Sequence, residues 1–416
     1  MNIVVLSLIY PPDLGGSATR ARNIARGLQL RGNEVTVVAG FPHYPEGDVP
    51  KKLRKRAFVN ENDAGIVVIR TWVPPLASKG LLNRLVIFAS FMISSLFALA
   101  YVRRVDGIFA SNPQILAVFP AKIYGWLYGA PVILNVDDMW PESLSDLGML
   151  GDGLIKRVST QIARSAYRIA DAITPISPSY VEPIVTKYGV PKSKVEVIPG
   201  GVDVTLFQGM SGPSQRPTFE VLYIGAFSRA YDFSQVLQAA NELRGIEAIR
   251  FQLRGQGEMA PAVKGKIERM RLRNVSLTEN TVSRAEAARL MMNADALLLP
   301  LSGLEYVEKG ISSKLYEYQA AGRPIVCCSS GTPGNYVRQS GSGLVVQPGD
   351  FASLAAAVLR LFKDEALASK LGRSGRDFVL SRYSVEEVGR LAHEAFETIP
   401  LRMQRGRHEV PSSSTC

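Results

Sequence analysis

The stretch GISSKLYEYQAAGRPIV, residues 310–326, indicates the fold class because it joins a short helix to a buried strand. A turn of Gly and Ser opens it, the helical segment ends at Gly322, and Pro324 leads into the apolar run PIVCC. Glycine just after a helix, followed by proline, is a common helix stop. We therefore predict a helix followed by a strand, which is one repeating unit of an α/β fold.

The same stretch predicts a phosphate site. Ser312 and Ser313 lie at the start of the helix, where free backbone N–H groups and the positive end of the helix dipole stabilise an anion. Lys314 adds a cation, and Glu317 can accept hydrogen bonds from vicinal hydroxyls. A phosphate beside a diol indicates a nucleotide sugar, with Leu315 as a further donor contact. The alternative is an exposed Lys314–Glu317 ion pair on an ordinary helix.

Length and charge limit the function classes. The chain has 416 residues, more than one hydrophobic core usually supports, so we expect two domains of about 200 residues. Its 48 basic and 37 acidic residues leave a net charge of +11, which favours phosphates and acidic lipid head groups as partners. The sequence has no zinc-finger spacing, no aromatic and basic single-strand motif and no long Lys-rich tail, so we do not expect nucleic acid.

Cysteine and histidine usage bears on the compartment and on metals. Cys327 and Cys328 are adjacent in an apolar strand and Cys416 is the last residue, so no disulfide framework is expected. The N-terminal run MNIVVLSLIYPP lacks the basic segment and the cleavage site of a signal sequence. These features predict a cytoplasmic protein. No Asp-x-Asp motif occurs and the three histidines are scattered, so we expect no metal and no other cofactor.

The N-terminal run is instead the first strand of a predicted parallel sheet, because it is continuously apolar. A loop with Gly15 and Gly16, a helix that stops at Gly32 and a second apolar strand follow it. Two glycines at the end of a strand allow the backbone to approach a ligand closely, or they only relieve a tight turn. Arg20 follows on the helix and is a candidate acceptor contact. A dinucleotide fingerprint is absent, so a dehydrogenase is disfavoured.

Acidic side chains follow another buried strand, in the segment PVILNVDDMWPES. Asp137 and Asp138 can bind a sugar hydroxyl or stabilise oxocarbenium charge, so we assign them a catalytic role. Trp140 can shape an apolar wall for the acceptor, with Glu142 as a further acceptor contact. The alternative is a group of acids that the dipole of a following helix favours.

An apolar segment in the first half predicts contact with a membrane. Residues 85–102 carry no charge, and their length is at the lower limit for spanning a bilayer. The strands before and after this segment belong to one predicted sheet, and this topology argues against a true crossing. We predict a membrane-facing helix near residues 81–104, aided by Arg84, Arg103 and the basic run KKLRKR, on an anionic surface. A buried core helix is the alternative.

A second domain follows a polar linker at residues 208–217. The pattern restarts with FEVLYIGAF, where Gly225 ends a strand and Arg229 follows it. A guanidinium can bind a diphosphate with two hydrogen bonds and stabilise a leaving group, although an ordinary surface Arg is the alternative. The next strand ends in RGQGE, where Gly255 and Gly257 predict a loop against the nucleotide.

In this order, the segments IPGGVD, YIGAFSR, RGQGE, ADALLLP and KLYEYQAAGRPIV resemble the retaining glycosyltransferases of family four, over nearly the whole chain. The resemblance implies an α/β architecture of the GT-B type, with two doubly wound Rossmann-like domains facing a central cleft. The implied parts are an acceptor domain at residues 1–207, a nucleotide-sugar domain at 218–384 and a helix at 385–400 that returns to the first domain. Residues 401–416 are expected to be a disordered tail.

The chain departs from the family pattern at two places. The family has a pair of glutamates with seven residues between them, and with Glu317 as the second, Lys309 occupies the first position, with Glu305 and Glu308 nearby as substitutes. Many members also have a histidine where Asp137 and Asp138 stand. This variant resembles the subgroup that builds bacterial surface polysaccharides such as O-antigen, capsule and exopolysaccharide, including transferases of fucosamine-type sugars.

The resemblance implies transfer of a hexosyl or N-acetylaminosugar unit from a nucleoside diphosphate sugar, with UDP as the favoured nucleotide, to a polyprenyl-linked saccharide. Retention of the anomeric configuration and a location at the cytoplasmic face of the plasma membrane are also implied. Arg229 and Lys314 would bind the diphosphate, the glycine loop at Gly15 and Gly16 would contact the donor, and Asp137 would contact the reacting sugar. Two other functions stay open: a nucleotide-sugar epimerase of the same architecture, and a noncatalytic scaffold that binds the nucleotide sugar.

Overall fold

The computed structural model describes residues 1–44, 47–77, 80–111, 115–209 and 217–408. The chain divides into two compact units. Unit 1 comprises Met1–Gly200 together with the chain from Val385 onward, and unit 2 comprises Gly201–Ser384. The predicted linker at residues 208–217 lies for the most part outside the described residues, as does the chain after residue 408.

Unit 1 is built on one sheet whose strand order is β3-β4-β2-β1-β5-β6-β7, parallel except where β3 pairs antiparallel with β4. Its central strands are nearly continuous apolar runs because helices cover both faces of the sheet. The strands are β1 (Asn2–Ser7), β2 (Glu34–Gly40), β3 (Phe58–Asp63), β4 (Ile66–Thr71), β5 (Gly107–Ser111), β6 (Val132–Val136) and β7 (Ala172–Pro175).

The helices that connect these strands are α1 (Gly16–Leu30), α2 (Leu81–Leu99), α3 (Val118–Tyr128), α4 (Glu142–Asp146), α5 (Leu154–Ile169) and α6 (Val181–Thr186). Helix α1 packs on one face of the sheet, where Ile3 and Val5 of β1 point. Helices α2, α3 and α5 contribute to the core on the opposite face, with Val4 and Leu6. The alternation of these four residues along β1 therefore supplies both cores.

Unit 2 repeats this plan with an all-parallel sheet of order β10-β9-β8-β11-β12-β13. Its strands are β8 (Phe219–Ile224), β9 (Ile249–Arg254), β10 (Val275–Thr278), β11 (Ala296–Pro300), β12 (Ile325–Cys328) and β13 (Gly343–Val346). Its helices are α7 (Phe233–Glu242), α8 (Ala260–Met270), α9 (Arg284–Asn293), α10 (Glu305–Lys309), α11 (Ser313–Ala320), α12 (Thr332–Ser340), α13 (Phe351–Lys363) and α14 (Glu365–Arg382). The prediction of two doubly wound α/β domains is confirmed.

Each sheet has a point where the direction of winding reverses. In unit 1 this point lies between β1 and β5, and in unit 2 it lies between β8 and β11. A crevice opens there at the carboxyl ends of the strands, which is where ligands bind in open parallel sheets. The loops after β1 and β8 border these crevices, and the loop after β6 lies at the same carboxyl edge of the sheet of unit 1.

The border of unit 2 differs from the predicted one at residue 207. The backbone N–H of Val202 donates to the carbonyl of Tyr383 over 2.8 Å, and Phe207 is buried in the core of unit 2. These contacts attach residues 201–207 to unit 2. The final described helix, α15 (Val385–His408), belongs to unit 1 and continues eight residues beyond the predicted helix end at residue 400, into the expected tail.

Helix α2 is, among the described residues, the one helix long and apolar enough to cross a membrane. It packs against β2, β4 and α3 and buries five side chains in the core of unit 1, among them Ile87 and Phe91. Other apolar side chains of α2, such as Leu82, Ile93 and Phe97, are exposed. The helix is thus neither a free span nor a fully buried core helix.

Candidate functional site

Lys314 is held at the carboxyl end of β8, the first strand of unit 2. A Cβ atom added to Gly225 would lie 2.3 Å from Lys314 Cε and 2.5 Å from Nζ, so the lysine side chain occupies the space that a side chain at Gly225 would fill. Nζ donates to the hydroxyl of Tyr231 over 3.2 Å and lies 5.1 Å from the centre of that ring. The cation is therefore fixed at the switch point of the sheet.

The other two predicted glycines, Gly255 and Gly257, allow the backbone after β9 to pack against the loop after β8. Gly225, Gly255 and Gly257 all have positive φ angles, 146°, 141° and 152°. A Cβ on Gly255 would lie 1.8 Å from the carbonyl oxygen of Gly225, and one on Gly257 would lie 2.4 Å from that of Phe227. Two backbone segments therefore pack in direct contact. The glycines are required for the position of Lys314, whatever contact they also make with a ligand.

Helix α11 begins beside Lys314, as predicted from the Gly and Ser turn. Ser312 is its N-cap residue, and its Oγ accepts a hydrogen bond from the N–H of Lys314 over 3.4 Å. Ser313 is the first helical residue, so its N–H remains available to a ligand. The side chain of Leu315 is fully buried in the core of unit 2, which leaves only its backbone for the predicted donor contact.

Glu317 lies on the same helix with its carboxylate in a densely packed environment. Burial raises the pKa of Glu317, and the positive charges of Arg284 and then Lys314 oppose that rise. All three guanidinium nitrogens of Arg284 are buried and make no hydrogen bond with the described residues. Glu317 and Arg284 thus carry opposite charges that influence each other without forming an ion pair. A ligand hydroxyl could donate a hydrogen bond to the carboxylate and accept one from the guanidinium.

Arg229 lies in the loop after β8, two residues before Tyr231, which contacts Lys314. Its side chain is largely exposed and lies 3.7 Å from the carboxylate of Glu258, which is also exposed. Such a pair contributes little to stability, so the guanidinium can exchange this partner for a phosphate.

The glutamates near the substituted position have different surroundings. Lys309 forms an exposed ion pair with Glu305 across one turn of α10, at 2.5 Å. Glu308 Oε2 instead accepts hydrogen bonds from the hydroxyl of Ser329 at 2.5 Å and from the N–H of Gly331 at 2.6 Å. Glu308 therefore stabilises the loop after β12, and Glu305 has the more accessible carboxylate for a sugar.

In unit 1, Gly15 and Gly16 form the start of α1 at the carboxyl end of β1. Gly15 has a φ of 118°, which favours glycine, and no side chain caps the helix. The first N–H groups of α1 therefore lack helical partners. Ser17, in this first turn, hydrogen-bonds to Asp137, which brings the glycine turn and the acidic segment together.

Asp137 is the centre of a buried polar network. Its Oδ1 lies 2.7 Å from Arg20 Nε and accepts a 2.7 Å hydrogen bond from Asn135, and Ser111 donates to Oδ2 over 3.4 Å. Arg20 also donates to the carbonyl of Ile198 over 2.7 Å. Burial raises the pKa of Asp137 to about 6, against the opposing charge of Arg20. Because Arg20 is 4% exposed, the structure assigns it to holding Asp137 in place rather than to the expected acceptor contact.

The neighbouring acids are also constrained. Burial raises the pKa of Asp138 to about 7, a hydrogen bond with Ser143 opposes the rise, and the charge of Asp137 adds to it. Glu142 Oε1 accepts hydrogen bonds from Tyr188, at 2.6 Å, and from Lys187, while its Oε2 is buried without a partner among the described residues. Both carboxyl groups remain candidates for contact with a sugar.

Trp140 does not form the apolar wall predicted for the acceptor. The side chain is 5% exposed and lies in the core of unit 1. Trp140 lies only a few residues after the buried strand β6. Burial of its large apolar ring among other apolar groups is more favourable than exposure to solvent.

Residues of this site that were not predicted include Tyr231, Asn135 and Arg284. Tyr231 and Asn135 lie in segments already identified, two residues from Arg229 and from Asp137. Arg284 begins a helix after the polar segment TENTVS, and only the packing of α9 against its neighbours shows where its charge lies. Within the described ranges, no group of three or more His, Cys, Asp or Glu side chains is arranged to hold a metal ion.

Comparison with known families matches both parts of the chain. Residues 15–201 match the Glycosyl transferase 4-like domain, and residues 218–364 match the Glycosyl transferases group 1 domain. The first match contains the Gly15 turn and Asp137, and the second contains Lys314 and Glu317.

Similar proteins are glycosyltransferases of microbial origin. A candidate colanic acid biosynthesis glycosyl transferase of Escherichia coli K12, WcaI, is 26% identical over 295 residues, which is 66% of this chain and 70% of that protein. The MMP alpha-(1->4)-mannosyltransferase of Mycolicibacterium hassiacum is 25% identical over 433 residues, which is 97% of this chain and 99% of that protein.

The fold is also that of solved glycosyltransferase structures. Anabaena Alr3699/HepE, crystallised in complex with UDP, superposes with a TM-score of 0.70 at 16% sequence identity, over 96% of this chain and 100% of that chain. The chain therefore carries a Glycosyl transferase 4-like domain followed by a Glycosyl transferases group 1 domain, and its two doubly wound domains have the GT-B fold.

Proposed function

We propose that this glycosyltransferase moves a sugar from a UDP-linked donor to a polyprenyl-linked saccharide, with retention of configuration, during synthesis of a bacterial surface polysaccharide. The observation that carries the proposal is the position of Lys314 at the end of β8, beside the N-terminus of α11 and the carboxylate of Glu317. This combination supplies a cation, backbone N–H donors and an acceptor for a diol. The UDP found with HepE and the polysaccharide role named for WcaI support the donor and the pathway class.

In the proposed reaction, the bond between the anomeric carbon and the diphosphate oxygen breaks, and an acceptor hydroxyl oxygen bonds to the same face of that carbon. The hydroxyl proton passes to the departing phosphate. Lys314 and Arg229 would offset the charge that grows on the diphosphate. Ionised Asp137 would stabilise positive charge on the sugar. We propose that no metal takes part, which activity after dialysis against EDTA would test.

The donor assignment is tested by calorimetry and turnover with a panel of UDP-sugars and a polyprenyl-diphosphate-linked acceptor. We expect Lys314→Ala to weaken UDP binding by about tenfold or more, since a charge-assisted contact to phosphate is lost. Lys264→Ala on the exposed side of α8 is the matched control and should bind UDP normally. Unchanged UDP affinity in Lys314→Ala would contradict the proposed site. Consumption of the donor without an acceptor product would favour the epimerase instead.

We further propose that the enzyme works at the cytoplasmic face of the plasma membrane as a peripheral protein. The support is the exposed apolar side of α2, with Arg103 and Arg104 exposed just after it. A lipid-linked acceptor is confined to that surface, so membrane contact would bring the enzyme to its substrate. Sedimentation of the purified protein with vesicles tests this location.

A further inference from the structure

Exposed apolar side chains are concentrated on one layer of unit 1. Of the large apolar side chains that are exposed in the described ranges, five lie on α2, four on α3 and three on α5, whereas unit 2 contributes Leu380 alone. The most exposed members of the three helices are Leu82 at 74%, Trp126 at 79% and Leu154 at 77%. Soluble proteins rarely leave such a group uncovered, so this layer has a partner.

The three helices form one surface. They belong to a single core cluster on the same face of the sheet, and α3 contacts both α2 and α5. Helix α1, with the exposed Leu30 near its end, lies on the opposite face. A flat partner that touches the outer side of α2 can therefore also reach α3 and α5.

The charge of this layer identifies the partner. Helices α2, α3 and α5 contain no Asp or Glu, and their charged residues are all basic: Arg84, Lys122, Lys156, Arg157, Arg164 and Arg168. Two of these cations are already paired with carboxylates outside the helices, Lys122 with Asp171 and Lys156 with Asp152. Arg157 is exposed between Ile155 and Val158, so cationic and apolar groups alternate on the surface of α5. Apolar side chains among cations fit a bilayer that contains anionic lipid.

The apolar groups also extend along the full length of the layer. Helices run opposite to the strands they connect, so Leu82 and Leu154, near the starts of α2 and α5, lie at the carboxyl edge of the sheet. Phe97 and Trp126, near the ends of α2 and α3, lie at the other edge. Since α2 alone is about 28 Å long, these edges are well separated.

We propose that the outer face of α2, α3 and α5 lies flat on an anionic bilayer, so that the strands of unit 1 run parallel to the membrane plane. The proposal rests on the proposed function in placing the enzyme at its lipid-linked substrate, and it adds α3 and α5 to the contact. Trp126 and Leu154 then enter the interface together, although they belong to opposite edges of the sheet.

Fluorescence of Trp126 tests this orientation in the full chain. In a Trp72→Phe background, the other tryptophan, Trp140, is buried in the core, so lipid quenching reports on Trp126. With vesicles of phosphatidylcholine and phosphatidylglycerol in equal parts, brominated on their acyl chains, we expect marked quenching. Binding without quenching would mean that contact is limited to one edge of the layer, and it would overturn the flat orientation.

Paired variants test the same point at the other edge. Leu154→Ser/Ile155→Ser should weaken sedimentation with these vesicles by at least about tenfold, because two apolar side chains leave the interface. Leu30→Ser, on the opposite face of the sheet, is the matched control and should bind as the unchanged protein does. Equal binding by both variants would overturn the proposal. A dimer in ultracentrifugation, dissolved by the α5 variant in the absence of lipid, would also overturn it, because a second copy would then be the partner. UDP affinity in solution stays unchanged in every case, so failure here is distinct from failure of the donor site.

Discussion

At the scale of single residues, the surroundings of each charge decide its role. Arg284 has a buried guanidinium that makes no hydrogen bond with the described residues, and Asp137 has several partners in a tight network. An isolated buried charge costs stability and is retained only where something else depends on it. For Arg284 that dependent group is Glu317.

We predict that Arg284→Met weakens UDP binding at the acid end of the range from pH 5 to 8 without lowering the free energy of unfolding. Loss of the guanidinium lets burial raise the pKa of Glu317 further, so more of the carboxyl is protonated and unable to accept both hydrogen bonds. Calorimetry between pH 5 and 8 should show that, as the pH is lowered, the variant begins to lose affinity for UDP at a higher pH than the unchanged protein does. Arg289→Met, an exposed site on the same helix, is the control. An identical pH profile in both variants would count against this role.

We predict that Asp137→Asn changes the pH dependence of stability. The folded pKa of about 6 is above the ordinary value of 3.8, so the native state holds this proton more tightly than the unfolded chain does. The stability that the protonated Asp137 carboxyl contributes to the native state is fully present below about pH 4 and is lost as the pH rises to about 6. Urea unfolding at intervals from pH 4 to 7 should therefore show Asp137→Asn gaining stability relative to the unchanged protein as the pH rises. If the difference in the free energy of unfolding between the two proteins stayed constant over this range, the pKa of Asp137 would not be raised.

The Gly and Ser turn before Lys314 and Glu317 was enough to predict from sequence that both lie on one helix, close to its N-terminus. The same reasoning could not assign Arg20, because a sequence does not show which side of a helix meets the buried carboxylate of Asp137. Leu315 and Trp140 were predicted to contact the donor and the acceptor, and both side chains are in a core. The sequence predicts the segment, whereas the direction of a side chain depends on packing.

At the scale of elements, α1 and α15 are packed backbone to backbone. A Cβ atom on Gly27 would lie 2.4 Å from the carbonyl oxygen of Val385 and 2.7 Å from Gly389 Cα. This pair of facing glycines allows α15 to cover one face of the sheet of unit 1. The helix itself was expected from the family resemblance, but its extent to His408 was not, since the polar sequence after residue 400 resembles a tail.

We predict that Gly27→Ala destabilises the protein by about 1–3 kcal/mol, because neither backbone can move away without separating the helices. Gly265→Ala in α8 is the matched control, since an added Cβ there meets nothing within 4 Å. Alanine in an open helical position should raise stability by up to about 1 kcal/mol. Denaturant unfolding followed by circular dichroism measures both. Similar effects of the two substitutions would contradict the close packing.

At the scale of the whole molecule, the described residues of each unit form separate hydrophobic clusters, two in unit 1 and two in unit 2. The two-domain plan was predictable because the strand and helix pattern restarts after a polar segment. The border at residues 200–201 was not, since the hydrogen bond from Val202 to Tyr383 joins positions distant in sequence.

We predict two unfolding transitions in calorimetry, one for each unit. Saturating UDP should shift only the transition of unit 2 to higher temperature, because the groups proposed to bind the nucleotide are all in that unit. At a UDP concentration one hundred times the dissociation constant, the free energy of unfolding of unit 2 should rise by about 2.7 kcal/mol. Lys314→Ala should remove most of that shift. A single transition, or an equal shift of both, would contradict the assignment of nucleotide binding to unit 2 alone.

The position of α15 has a consequence for synthesis on the ribosome. The sheet of unit 1 is translated first, yet one of the helices that cover it, α15, is translated only after all of unit 2. In the nascent first half, the apolar surface around Ile3, Val37 and Phe109 therefore stays incompletely covered until α15 has been synthesised. Unit 2, being continuous in sequence, can finish folding earlier. The order of folding is then the reverse of the order of translation, and chaperone contact should be concentrated on the first half of the chain.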